Sequence, residues 1–160
     1  PIKGSKSKSG IIVKGIHDLA VRFSKCCSPV PGDEIVGFVT RGRGITIHRT
    51  DCINVLNLPE IERSRLIDAE WQGIEEDNSA ATYSTEISIF ANNRIGMFVD
   101  ISKIFTEREI DIKTMNSRVN KQGKATITMS FDIHGIEELN NLMAKLRQID
   151  GVLDIERTTG

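Results

Sequence analysis

Three features of the sequence predict an α+β protein built in two parts. Short apolar–polar runs broken by Pro and Gly fill the first part. Two amphipathic helical stretches interleave with strands in the second. A polar, acidic, unpatterned stretch, residues 72–81, lies between them and reads as a linker. The first part then reads as a small, mostly antiparallel β module with one short helix. The second has the order β-α-β-β-α-β, the ferredoxin-like split βαβ arrangement.

Residues 1–10, rich in Lys, Ser and Gly, read as a flexible linker, and a chain opening on Pro1 reads as a piece cut within one. The first module spans residues 11–71. Gly10–Ile16 is its first strand. Ala20–Cys26 alternates apolar and polar residues, as a half-buried strand does. Ser28-Pro29-Val30-Pro31-Gly32-Asp33 is a turn, because two prolines remove donors and a glycine admits φ > 0. Ile35–Thr40 and Ile45–Arg49 flank Arg41-Gly42-Arg43-Gly44, so this segment reads as a β-hairpin. Thr50-Asp51 can cap a short helix from Cys52 to about Leu58, which Pro59 stops. Arg65–Trp71 is the last strand of the module.

The second module spans residues 82–160. Thr82–Ala91 is a strand and Asn92–Gly96 a turn. Met97–Glu109 is a helix, with Met97, Ile101, Ile104, Phe105 and Arg108 three and four apart. Ile110–Val119 is a strand, followed by a turn at Lys121-Gln122-Gly123. Ala125, Ile127, Met129, Phe131 and Ile133 alternate strictly, which gives the next strand one buried face. Leu139, Leu142, Met143, Leu146 and Ile149 form the stripe of a helix over Ile136–Ile149, and Val152–Arg157 closes the sheet. Both helices then cover one sheet face. The other carries Ser88, Thr126, Thr128, Ser130 and Asp132, a polar set suited to water or to pairing with another sheet.

Charged residues make up 27% of the chain and the hydrophobic set 39%, as in a soluble globular protein. No apolar run approaches the ~20 residues of a membrane helix, so no membrane partner is expected. Residues 1–60 hold nine Lys/Arg against five Asp/Glu, and residues 61–160 hold twelve against seventeen. The first part is therefore the one able to meet phosphate. Three cysteines, two of them adjacent, make a poor disulfide framework. With no secretory signal, this points to the reducing cytoplasm.

Cys26-Cys27, His48 and Cys52 form a set of three sulfurs and one imidazole, a composition that holds structural Zn2+ in a tetrahedron. Side chains of adjacent strand residues point to opposite faces, so both cysteines can reach one ion only if the chain turns there. The competing reading is that the cysteines are small buried hydrophobes. Arg22, Lys25, Arg41, Arg43 and Arg49 form a basic set. Arg41-Gly42-Arg43-Gly44 puts two guanidinium forks on a hairpin tip that suits phosphate, with Phe23, Phe38 and His48 as stacking faces; a solvated turn is the plainer alternative. Asn93-Arg94-Ile95-Gly96 precedes a helix N-terminus, whose free N–H groups can hold a carboxylate, or is a plain strand-to-helix turn. The sequence contains no Walker loop, G-x-S-x-G or H-E-x-x-H motif, and no catalytic residues are assigned.

The run from Arg22 to Cys52, with C-C-x-P-x-P-G-D, T-R-G-R-G and H-R-x-D-C, resembles the Cys-rich module of long RelA/SpoT homologues, called the zinc-finger or ribosome-intersubunit domain. The module after it resembles an ACT domain, and the likeness covers the chain beyond the first linker. The resemblance implies the regulatory C-terminal region of a (p)ppGpp synthetase/hydrolase, a GTP pyrophosphokinase of the stringent response, whose catalytic domains lie elsewhere. It implies ribosomal RNA, A-site tRNA and the catalytic domains of the parent chain as partners, and self-association as a dimer through the ACT domain. It carries Cys26, Cys27, His48 and Cys52 over as the metal set, and Arg41, Arg43 and Arg49 as a basic face toward RNA. Asn93, Arg94, Ile95 and Gly96 match the ligand loop of amino-acid-binding ACT domains, which implies a branched-chain amino acid. Asp111 stands where such domains commonly place an Asn. The alternative is an amino-acid-binding ACT module with a structural metal site, acting in amino-acid metabolism without the ribosome. An independent zinc hydrolase fits poorly, because four protein ligands close the coordination shell to water.

Overall fold

The computed structural model describes residues 11–13, 20–42, 44–71 and 81–158. The predicted linker over 1–10, nearly all of that over 72–81, and Arg43 lie outside these residues. The chain divides into two compact units, one up to Ala81 and the other Thr82–Thr158.

The first unit contains β1 (Ile11–Val13), β2 (Ala20–Phe23), β3 (Ile35–Val39), β4 (Gly44–Arg49), α1 (Ile53–Leu56), a 3-10 helix (Glu60–Arg65) and β5 (Leu66–Trp71). The strands form one sheet in the order β1-β5-β3-β4-β2. Its pairs are antiparallel except β2–β4, which is parallel. Alternation along β4 sends Ile45 and Ile47 into a core with Ile11 and Ala69, packed by Val21, Phe23, Ile35, Ile67 and Trp71. Burying each isoleucine contributes about 1.5–3 kcal/mol. Gly37 sits at the middle of this layer, where an added Cβ would stand 3.0 Å from Ile67 and 3.1 Å from Ile45. A side chain there would push β5 and β4 apart. Val36 and His48, paired across β3 and β4, face the other way, and Val36 packs on a second cluster of Cys27, Cys52 and Val55.

Several elements differ from the sequence reading; α1 is confined to Ile53–Leu56, with Cys52 rather than Thr50-Asp51 at its N-cap and no side-chain cap. The strand predicted to reach Cys26 ends at Phe23, and Lys25–Cys27 form a turn closed by the Ser28 N–H donating to the Ser24 carbonyl at 3.0 Å. Ser28 there adopts φ 46°. Pro59 lies between α1 and the 3-10 helix, past the end of the first. It stands as the N-cap of the 3-10 helix, where its carbonyl accepts the Glu62 N–H at 2.9 Å.

The second unit contains β6 (Tyr83–Asn92), α2 (Met97–Glu107), β7 (Ile112–Val119), β8 (Lys124–Ile133), α3 (Ile136–Arg147) and β9 (Val152–Arg157). Its antiparallel sheet has the order β7-β8-β6-β9. This is the predicted βαββαβ arrangement. Ile87, Ile89 and Ala91 of β6 and the five alternating residues of β8 are buried with Met97, Ile101 and Phe105 of α2 and Leu139, Leu142, Met143 and Leu146 of α3, which ends at Arg147, before the predicted Ile149. Phe105 and Phe131 meet edge to face at 5.0 Å. The helix predicted to reach Glu109 ends at Glu107. The Ile110 N–H donates to the Phe105 carbonyl and the Glu109 N–H to that of Thr106, with Glu109 at φ 56°. That is a Schellman ending with a glutamate where glycine is favoured. Among the described residues no helix is long and apolar enough to cross a membrane.

Candidate metal centre

The turn at Lys25–Cys27 removes the obstacle posed by adjacent cysteines. Cys26 and Cys27 leave the end of β2 from a turn, so their sulfurs converge on His48 of β4 and on Cys52, which precedes α1. Cys26 Sγ lies 3.5 Å from His48 Nδ1 and 3.4 Å from Cys52 Sγ, and Cys27 Sγ lies 4.0 Å from His48 Nδ1. One ligand atom from each of the four residues lies within 4.8 Å of the others. A zinc ion about 2.3 Å from each sulfur spaces tetrahedral donors by roughly 3.8 Å. The donor set and its spacing therefore fit a tetrahedral cation.

The electrostatics divide the four donors: burial holds Cys27 and Cys52 toward the neutral thiol, while Cys26 and His48 lean toward their metal-binding forms. Burial pushes the Cys27 thiol up to about 12, against a hydrogen bond from the Arg49 backbone N–H at 3.3 Å. Burial also raises Cys52, aided by its hydrogen bond with Cys26. Burial raises Cys26 too, but hydrogen bonds with Ser24, Asn54, Cys52 and Cys27 outweigh it and leave this thiol below its ordinary value. Burial lowers His48, which favours the neutral imidazole that binds metals. A divalent cation displaces thiol protons and removes the repulsion among three sulfurs in one small space.

Arg49 has a different place from the one expected of it. The alternation of β4 puts it on the buried side with Ile45 and Ile47, and it is 6% exposed. Its guanidinium donates to both Asp51 carboxylate oxygens, at 2.9 and 2.6 Å, and to the Cys27 carbonyl at 3.2 Å. It braces the Cys27 turn against the segment leading into Cys52, with its side chain only 7% exposed. The expected stacking faces are likewise used within the fold. Phe23 stacks on Trp71 at 5.6 Å, the Arg65 guanidinium covers Phe38 at 4.6 Å, and His48 joins the cysteines.

Arg22 and Lys25 are exposed, and Arg41 at the hairpin tip is 87% exposed, with Glu62 at 3.8 Å. The hairpin base is held by Thr40, which exchanges hydrogen bonds with Gly44 through both backbone and hydroxyl. The sequence reading missed Ser24, Asn54 and Asp51. Their signal, small polar residues two positions from a cysteine or an arginine, is too common to stand out.

In the second unit Gly96 takes φ 84° at the α2 N-cap, a backbone that a side chain rarely adopts. Arg94 fills the loop: it donates to the Asp150 carbonyl at 2.8 Å, to the Ile95 carbonyl at 3.1 Å and to the Asp100 carboxylate at 2.6 Å. Asn93 and Ile95 are exposed. Asp111 is 84% exposed and pairs with Lys113 at 3.5 Å. It lies past the far end of α2, and an eleven-residue helix is roughly 16 Å long. The loop and Asp111 of one copy therefore do not converge on one small ligand.

Residues 11–72 match the RelA/SpoT RIS domain and residues 79–157 match the ACT domain. The chain belongs to the RelA/SpoT family. It is 36% identical over 161 residues to the GTP pyrophosphokinase of Escherichia coli strain K12, covering 100% of this chain and 21% of that protein. It is 31% identical over 150 residues to the GTP pyrophosphokinase of Streptomyces coelicolor, covering 94% and 17%. The crystal structure of the ACT domain from the Chlorobium tepidum GTP pyrophosphokinase is 26% identical, covers 48% of this chain and 99% of that one, and superposes with a TM-score of 0.43. The chain thus spans about a fifth of the length of the curated relatives it matches. Within that fifth lie a RIS domain followed by an ACT domain.

Proposed function

We propose that this region docks its parent enzyme on ribosomal RNA through the RIS domain, with Arg22, Lys25, Arg41 and Arg43 as phosphate contacts and a structural Zn2+ at Cys26, Cys27, His48 and Cys52 fixing the surface they occupy. Occupancy of the ribosome by the parent, beside A-site tRNA, then relieves a restraint on its catalytic domains. The observation that carries this reading is the exposed Arg41 guanidinium on a hairpin whose base Thr40 closes with hydrogen bonds to Gly44. A positive tip on such a base recognises backbone shape and phosphate rather than base sequence. The test is ribosome pelleting of the chain across a salt series, wild type against Arg41→Ala/Arg43→Ala. Each lost phosphate contact is expected to lower the slope of log affinity against log salt by about 0.7–0.9. Binding and slope unchanged in the double variant would remove the assignment.

A second reading concerns the ACT domain. The separation of the Asn93–Gly96 loop from Asp111 favours a branched-chain amino acid held between two copies, its carboxylate at one loop and its ammonium at the partner's carboxylate. Ile95, Phe98 and Val99, exposed beside the loop, support coverage of this end by a second copy. Titration with valine, isoleucine and leucine is expected to shift amide signals at Asn93–Gly96 and Asp111 together, with dimerisation seen by sedimentation. No shift at millimolar ligand leaves the domain without this role.

A further inference from the structure

The cysteine cluster holds a pair of sulfurs placed for a reaction with each other. Cys26 Sγ and Cys52 Sγ lie 3.4 Å apart, about 1.4 Å beyond a disulfide bond. They come from separate elements, the turn after β2 and the residue preceding α1, so neither backbone need be distorted by adjacency. The other pairings are less favoured. Cys26 and Cys27 are consecutive, and Cα atoms across a trans peptide are about 3.8 Å apart, short of the roughly 4.4 Å at which disulfides begin. Cys27 Sγ is engaged by the Arg49 backbone N–H at 3.3 Å and is 1% exposed. Access separates the three as well: Cys26 is half-buried, while Cys27 and Cys52 are buried. A reagent from solvent meets Cys26 first and finds Cys52 behind it.

We propose that Cys26 and Cys52 form a reversible oxidation site whose reactant is a low-molecular-weight disulfide of the glutathione class. The Cys26 sulfur attacks one sulfur of the reactant, forming a mixed disulfide and expelling one thiolate. The Cys52 sulfur then attacks Cys26 Sγ, closing the Cys26–Cys52 bond and expelling the second thiolate. The two cysteine protons pass to the two departing thiolates, and two electrons move from the protein to the reactant. The closed bond takes two of the four donors from the cluster, so oxidation and metal binding exclude each other. The inference rests on the geometry of the thiol cluster and does not depend on the Zn2+ reading above.

The test uses the full chain, once stripped with a chelator and once supplied with Zn2+. Each is incubated with oxidised glutathione, its free thiols are alkylated, and its peptides are mapped without reduction. The stripped chain is expected to show one intrachain disulfide joining the Cys26 and Cys52 peptides, with Cys27 alkylated and the bond lost on adding dithiothreitol. Cys27→Ser is expected to form the same bond. Cys52→Ser is expected to stop at a mixed disulfide on Cys26, and the wild-type map decides the matter if that variant does not fold. Cys27 found in the disulfide, bonds only between chains, or all three thiols still alkylated after exposure overturns the proposal. Zinc is expected to slow the oxidation at least tenfold. Equal rates with and without zinc would count against the zinc reading and against mutual exclusion, while leaving the Cys26–Cys52 pairing to be judged by the map.

Discussion

The two units hold themselves together by different means. The ACT unit buries an aliphatic and aromatic layer between one sheet face and two helices, with Phe105 and Phe131 at its centre. The RIS unit has a core of Ile11, Ile45, Ile47 and Ala69, beside which three thiols, an imidazole and a buried arginine occupy the second interior cluster and its edge. A module of about 60 residues buries a smaller fraction of its surface than a larger one, and small folds recruit metals or cross-links for that reason. Polar chemistry near the RIS interior is thus part of its stability, whereas in the ACT unit the apolar layer is sufficient.

Four perturbations sharpen or break this contrast. Phe131→Ala is expected to cost about 3–5 kcal/mol in the ACT unit, read by denaturant titration; a cost below 1 kcal/mol would mean the apolar layer is not what holds that unit. Stripping zinc from a loaded chain is expected to destabilise the RIS unit by about 3 kcal/mol relative to protein at a hundred times the dissociation constant, and to leave the ACT unit unmoved. Calorimetry of the loaded and stripped chain checks this, and an unaltered RIS transition would return the cysteines to the role of buried hydrophobes. Arg49→Met is expected to cost about 2 kcal/mol, because the Cys27 carbonyl loses its donor while the half-solvated Asp51 is partly compensated by water. If denaturant titration shows no loss but ribosome binding falls, Arg49 is a phosphate contact after all. Glu109→Gly is expected to stabilise the ACT unit by about 0.5–1 kcal/mol by relieving a left-handed residue at the end of α2. A loss in the melting temperature would show that the glutamate side chain has a role there.

The ACT fold was legible because its signals agree. Strict alternation over Ala125–Ile133 and the three-and-four spacing from Leu139 to Leu146 each permit one structure. The RIS unit was legible in its donors but not in their convergence. Ala20–Cys26 alternates well enough to read as one strand, and it ends at Phe23 where the Ser28 N–H closes a turn on the Ser24 carbonyl. The direction of Arg49 was present in the alternation of Ile45, Ile47 and Arg49, but its charge argued for the surface. Glu109 gave no sign of its backbone, because a glutamate carries none of the cues of a helix end.

The parallel pairing of β2 with β4 has a kinetic consequence. The β3–β4 hairpin can close from local contacts, whereas β2 must wait for the chain to pass through β3 and return before its neighbour exists. With four residues at the edge of the sheet, β2 is also an easy strand to peel away, and Cys26 and Cys27 ride on its trailing end. Peeling it withdraws two sulfurs from the cluster at once. A cation held by these four donors would lose half of them in that one opening.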